Sequence, residues 1–175
     1  MPFTPLHMGP GLALKSVTGG RFSILMFGLT QVAMDIEPGI GMLRGADVLH
    51  GWTHTYLGAT FIAALVLAIG RPVCVLILRR WNRELRHHRL EWLAEPEAIG
   101  WPAAALGAFV GAYSHVALDS IMHADMRPFA PLATGNALLS WISIDALQIA
   151  CVVAGLLGAG LWAALRLYSR ARRSG

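Results

Sequence analysis

The stretch PAAALGAFVGAYSHVALDSIM, from Pro102 to Met122, carries no charged or imidazole side chain before His115; Asp119 then follows one helical turn later. A bilayer's hydrocarbon core of about 30 Å needs about 20 apolar residues to cross it, and this run is long enough. Its apolar residues are continuous rather than alternating, which argues for a membrane helix and against a half-buried strand. The polar groups collect at one end, where His123 adds a third position at the same turn spacing.

Working outward, three more apolar segments are long enough to be read as spans: Phe22 to about Asp35, which is short, His54 to about Ile69, and Leu138 to Leu165. Gly70-Arg71-Pro72 interrupts the second, an apolar stretch from Val73 to Leu78 follows, and Arg79 to Glu97 is strongly polar with mixed charge, as expected of a cytoplasmic helix lying on the membrane surface. Met8 to Leu14 is apolar but too short to span. The expected fold is therefore all-α, a single membrane-embedded helical domain over residues 1–175. It comprises about four spans, a short N-terminal helix and a surface helix.

Composition agrees: 55% of residues are hydrophobic and 14% charged, against about a quarter charged in soluble domains. The net charge of +4 does not indicate nucleic acid, because the arginines flank apolar segments as they do in oriented membrane proteins. Cys74 and Cys151 both lie in apolar stretches, which disfavours a disulfide scaffold or a cysteine metal site and leaves them as small buried hydrophobes. Pro2, Pro5 and Pro10 occupy the place of a charged leader region, so no cleavable signal peptide is expected.

Basic residues orient the spans. Lys15 and Arg21 precede the first, five arginines between Arg79 and Arg89 lie between the second and third, and Arg166, Arg170, Arg172 and Arg173 follow the fourth. The two remaining loops hold one arginine each, Arg44 and Arg127. By the positive-inside rule those two loops face outward. The outward ends carry Asp35 and Glu37 from the first span, His50 and His54 from the second, one helical turn apart and so on one face if that stretch is helical, and His115, Asp119, His123 and Asp125 from the third. Imidazoles and carboxylates buried near a bilayer are costly and point to function. Three helix ends carrying them suit a divalent cation such as zinc, manganese or iron. Taken singly, each has a structural reading as a capping, ion-paired or solvated residue, and His87 and His88, on the opposite face, are read as solvated. His7 has two open placements: a cytoplasmic terminus far from the others, or a short helix dipping in from the outer face, which brings it to them.

Four motifs, in order, are Met1-Pro2-Phe3-Thr4-Pro5-Leu6-His7-Met8-Gly9-Pro10-Gly11, Asp35-Ile36-Glu37-Pro38, His50-Gly51-Trp52-Thr53-His54 and Ser114-His115-Val116-Ala117-Leu118-Asp119. Together they resemble a bacterial family of membrane-bound metal-dependent hydrolases that includes LexA-regulated inner-membrane members. The resemblance covers nearly the whole chain. It implies a multi-pass inner-membrane protein with metal ligands at His7, Asp35, His54, His115 and Asp119 and a divalent cofactor, zinc or manganese. The chain departs at Glu37, where the family often has a second aspartate, and at Leu49-His50, where it often has histidine-arginine. Glu37 or His50 is then a general base or a partner that orients an imidazole. Asp125-Met126-Arg127-Pro128-Phe129 fits one branch, and Arg127 is placed to meet an anionic group. The expected partners are membrane lipids and a lipid-linked or phosphoester substrate; oligomeric state is open, and Gly107 and Gly111 are read as internal packing positions.

Two rival functions remain. A metal or proton transporter would line a path with Asp35, His54 and Asp119 and extend it through Asp145 and Gln148. A non-catalytic protein would use the same residues as staples between helices. Against transport, the fourth span has no ionisable residue from Ile149 to Ala164, and the second has none from Ala59 to Ile69. For Asp145, a buried partner to a ligand histidine weighs as much as any direct role. The topology is open to test: single cysteines in the Arg44 and Arg127 loops are expected to react with a membrane-impermeant maleimide from the extracytoplasmic side. Labelling from the cytoplasmic side alone would invert it.

Overall fold

A computed structural model describes residues 4–174, with side chains over 6–172. Met1-Pro2-Phe3 of the opening motif and the Arg173 side chain lie outside the described residues. Regular structure among those residues is helical throughout: α1 (Thr4–Thr18), α2 (Ile24–Met34), α3 (Ile36–Leu43), α4 (Tyr56–His87), α5 (Trp101–Met122) and α6 (Ile144–Ser174), with short 3₁₀ turns at Gly19–Arg21, Trp52–His54 and Glu91–Leu93. The all-α expectation is met.

Three helices among the described residues, α4, α5 and α6, are long and apolar enough to cross a membrane. Only 17% of the apolar window of α6 is buried, against 50% for α5. Exposed Leu156, Leu157, Phe61, Ile69 and Leu76 on α6 and α4 make an apolar surface that water would penalise and lipid accepts. The segment expected as a first span is α2, 11 residues long, about 16 Å at roughly 1.5 Å per residue. That is about half the thickness of a hydrocarbon core, because the helix is bounded at Ser23 and again at Asp35. Preceded by α1 and the Gly19–Arg21 turn, it forms a helical hairpin. Of the two placements open for His7, the hairpin is the one adopted.

Two sequence expectations in the middle of the chain are corrected. Gly70-Arg71-Pro72 does not interrupt the second span: α4 runs 32 residues straight through Pro72. Proline is tolerated in such helices because neighbouring groups compensate the freed backbone, and Arg71 Nε is anchored by donating to the Ile99 carbonyl at 2.7 Å. The expected surface helix over Arg79 to Glu97 is likewise absent. Arg79 to His87 is the last part of α4, with an exposed Arg80–Glu84 ion pair at 2.8 Å, and the chain then unwinds into the Glu91–Leu93 turn. His87 and His88 are exposed there, as expected.

The end of the bundle near that turn is closed by polar contacts around Glu95. Lys15 Nζ lies 3.1 Å from Glu95 Oε2, Arg166 pairs with Oε1, and Asn82 Nδ2 donates to the Glu95 carbonyl at 2.6 Å. One residue each from α1, α4 and α6 thus meets the linker. At the opposite end α1 presents His7, α2 ends at Asp35, and α5 presents His115 and Asp119.

Helix α5 is the shared neighbour of α2 and α4. Its contact with α2 depends on Gly107 and Gly111: a Cβ on Gly107 would collide with the Ser23 carbonyl, and one on Gly111 would sit 2.9 Å from that of Phe27. Both glycines serve packing inside the chain, as read from sequence. Gly107→Ala is expected to cost about 1–3 kcal/mol, the usual cost of overpacking, seen as a lower melting temperature in detergent; an unchanged melt would contradict this packing.

Candidate metal centre

Local structure explains why these side chains converge. On α5, positions 115 and 119 share a face by i, i+4 spacing, and both are fully buried. His50 and His54 are not on an α-helix, contrary to the turn-spacing expectation: His50 is in an extended loop and His54 closes the 3₁₀ turn that leads into α4. Thr55 caps α4, its hydroxyl accepting from Gly58 N at 2.9 Å. That loop is fastened from two sides. Asp125 accepts from the Leu49 and His50 amides at 2.9 and 3.1 Å, and Glu37 accepts from the Thr53 amide at 3.0 Å and from its hydroxyl.

Around the Asp119 carboxylate stand four imidazoles. His115, His54 and His50 bring Nε2 to 3.1, 3.6 and 3.9 Å of Oδ2, and His7 Nε2 lies 3.8 Å from Oδ1. Asp35 Oδ1 is 3.4 Å from His115 Nε2. Asp35, His54, His115 and Asp119 each offer a ligand atom, all within 4.8 Å of one another.

Tautomers decide what this ring of nitrogens wants. Gln31 Nε2 donates to the Gly111 carbonyl at 3.1 Å, which fixes the amide so that Oε1 faces His115 Nδ1 at 2.6 Å. An amide oxygen has no proton to give, so Nδ1 carries the hydrogen and Nε2 the lone pair. His50 Nδ1 meets Asp125 Oδ1 at 2.8 Å, with the same consequence. For His54, the Thr53 hydroxyl spends its hydrogen on Glu37 and accepts from Nδ1 at 3.1 Å. In each case the outer nitrogen keeps its proton by donating to its partner, so that in the neutral ring the inner Nε2 turns its lone pair toward Asp119. These inner Nε2 atoms and both Asp119 oxygens are buried without a hydrogen-bond partner.

Bare lone pairs cannot face a buried carboxylate unless positive charge lies between them. Protons on the imidazoles would supply it, turning the contacts into ion pairs. One divalent cation would supply it too, balancing Asp119 and Asp35 with every imidazole neutral, which is the form histidine takes as a ligand. Asp125, raised by partial burial but held more strongly by the His50 and Leu49 hydrogen bonds, falls to about 2 and stays an acceptor. Orienting partners of this kind are the usual surround of metal-ligating histidines.

The sequence-predicted residues divide as follows. His7, Asp35, His54, His115 and Asp119 are brought together, and His50 joins them. Glu37 stands behind His54, its Oε2 3.6 Å from Nδ1, as a partner that orients the ring. Arg127 is exposed on the loop, outside the ring of histidines. Asp145 is exposed at the start of α6, which removes the reading of it as a buried partner to a ligand histidine. Sequence reasoning missed Gln31, though an amide inside an otherwise apolar segment is itself a signal. An apolar cavity of about 450 Å³ lies at the other end, between Leu12, Ile77, Trp81 and Trp162, away from this chemistry.

What the fold and site define is an all-helical chain with membrane-length helices and a buried histidine–carboxylate cluster able to hold a metal ion. No family model, no curated protein and no solved structure matches it. Gln31→Leu, which removes the acceptor behind His115, is expected to weaken metal affinity 10–100-fold in a chelator-competition titration. Unchanged affinity would refute the orienting role.

Proposed function

We propose that this chain is a membrane-bound, metal-dependent hydrolase acting at the extracytoplasmic face of a bacterial inner membrane. The observation that carries the reading is the set Asp35, His54, His115 and Asp119, whose ligand atoms lie within 4.8 Å of one another, with the Nε2 atoms of both histidines and both Asp119 oxygens buried and without a hydrogen-bond partner. The resemblance of the four motifs to the membrane-bound hydrolase family supports it, as does the arginine distribution for the face.

The residues fit a divalent ion, zinc or manganese, by donor chemistry: imidazole nitrogen with carboxylate oxygen. Such an ion supplies Lewis acidity and lowers the pKa of water from 15.7 to about 7. The chain does the rest. Asp35, His54, His115 and Asp119 hold the ion, with His7 beside Oδ1 of Asp119. Gln31, Glu37 and Asp125 keep Nδ1 of the three oriented histidines protonated. Glu37, about a third exposed, is also the carboxylate best placed to take a proton from the solvent side. Arg127 at the rim offers a guanidinium to an anionic substrate group.

A lipid-linked or phosphoester substrate is favoured by the surroundings. Trp52, Leu43, Leu132 and Trp141 are exposed in the loops at this end of the bundle, where aromatic side chains sit at a membrane boundary. Transport is disfavoured by what lies beneath: Met26, Phe27, Ala104, Ala108 and Ala112 are all buried and leave no polar path inward. A purely structural role for the cluster predicts no metal at all.

Elemental analysis of protein purified in detergent distinguishes these readings. Wild type is expected to hold stoichiometric metal, and His115→Ala and Asp119→Ala to lose it to background while remaining monodisperse. Hydrolysis of a chromogenic phosphoester should vanish with chelator and return with zinc or manganese. Wild-type protein that takes up neither ion on loading would sink the proposal.

A further inference from the structure

A second group of ligand-type residues stands against the first. His50, His123 and Asp125 offer ligand atoms within 4.8 Å of one another. The rings of His50 and His123 stack with centroids 4.3 Å apart, and the Nε2 atoms of both are buried without a partner. Stacking alone does not account for two unspent nitrogens, and the site lies beside Asp119, whose Oδ2 is 3.9 Å from His50 Nε2. His123 follows Asp119 by one turn and caps α5, its amide donating to the Asp119 carbonyl at 2.9 Å, which fixes its backbone at the end of the helix that carries Asp119.

Asp125 already has its work. Oδ2 takes two backbone amides and Oδ1 takes His50 Nδ1 at 2.8 Å. This is a carboxylate holding an imidazole from behind so that the far nitrogen faces a cation. It leaves His50 Nε2 and His123 Nε2 unspent, with Asp119 Oδ2 3.9 Å from the first of them.

We propose that His50 and His123 hold a second divalent cation of the zinc or manganese type, with Asp119 shared between the two ions and Asp125 orienting His50. This rests on the reading of Asp119 as a ligand of the first. A shared carboxylate accounts for His50 facing Asp119 Oδ2 at 3.9 Å although its other close ligand-type neighbours are His123 and Asp125. Two-metal sites have ions about 3.5–4 Å apart, close enough for a shared carboxylate to couple them.

The test is manganese titration of the full chain in detergent, read by elemental analysis and by electron paramagnetic resonance. Wild type is expected to bind two equivalents, with the six-line signal of the first altered by spin coupling when the second arrives. His123→Ala and the milder His123→Gln and His50→Gln are expected to bind one equivalent with an uncoupled signal. One equivalent in wild type, unchanged in the His123 variants, would overturn the second site and leave the first standing. Two uncoupled equivalents, both retained in the His123 variants, would also overturn it. No bound manganese or zinc would remove both sites together.

Discussion

The Asp119 carboxylate is the constraint around which the bundle is arranged. It is fully buried on a helix whose other buried positions, His115 and Ser120 apart, are alanine, glycine, valine and isoleucine. An isolated carboxylate at such a place costs several kcal/mol after relaxation, so the fold has to bring compensation to it. It does so from every side: His115 from one turn back on α5, His54 and His50 from the loop before α4, and His7 from α1. Removing one of these leaves the others facing a charge they do not balance. The cluster therefore behaves as a unit, in which single deletions do not add.

That requirement explains the N-terminal hairpin. A full span ending at Asp35 would need α2 to begin a bilayer's thickness away; instead α1 and α2 are half-length, and both present a polar residue to the same end. Half-length helices buried among others need their far turn satisfied. Lys15 does this, donating to the Phe22 carbonyl at 3.4 Å and pairing with Glu95, while Arg166 closes the pair from α6. The charges at the two ends serve different purposes. Around Glu95 cation and anion are matched and hydrogen-bonded, whereas around Asp119 the nitrogens are turned inward and left bare.

The legibility of the sequence follows from which contacts are local. His115 and Asp119 were readable because i, i+4 spacing on one apolar helix fixes their mutual placement. Asp35 and His54 were readable from the apolar boundaries beside them. His7 entered by resemblance, since no local pattern says that α1 folds back. The polar stretch after Gly70-Arg71-Pro72 misled because a helix can pass from apolar to polar composition without ending, and composition does not distinguish the continuation of a helix from a separate one. Gln31, and the pairing of Asp125 with His50, were out of reach for a different reason: each is made across more than seventy residues of chain, and no spacing rule reaches that far.

The distribution of polar groups along the bundle bears on what the cluster can do. A conducting protein needs polar stations through its thickness, since an ion or proton stripped of water pays at every dry step. Here, beneath Thr30 and Gln31, side chains turn to methionine, phenylalanine and alanine, and Gln31 is occupied by His115, by the Gly111 carbonyl and by the Ser114 hydroxyl. A proton arriving at His115 Nδ1 finds that position filled and the amide oxygen behind it without a proton-accepting neighbour further in. Such a site is closed from below and meets solvent through Asp35, Glu37 and Asp125, its partly exposed carboxylates. A dead end with its lone pairs aimed at one point suits holding an ion in place for chemistry better than passing it on.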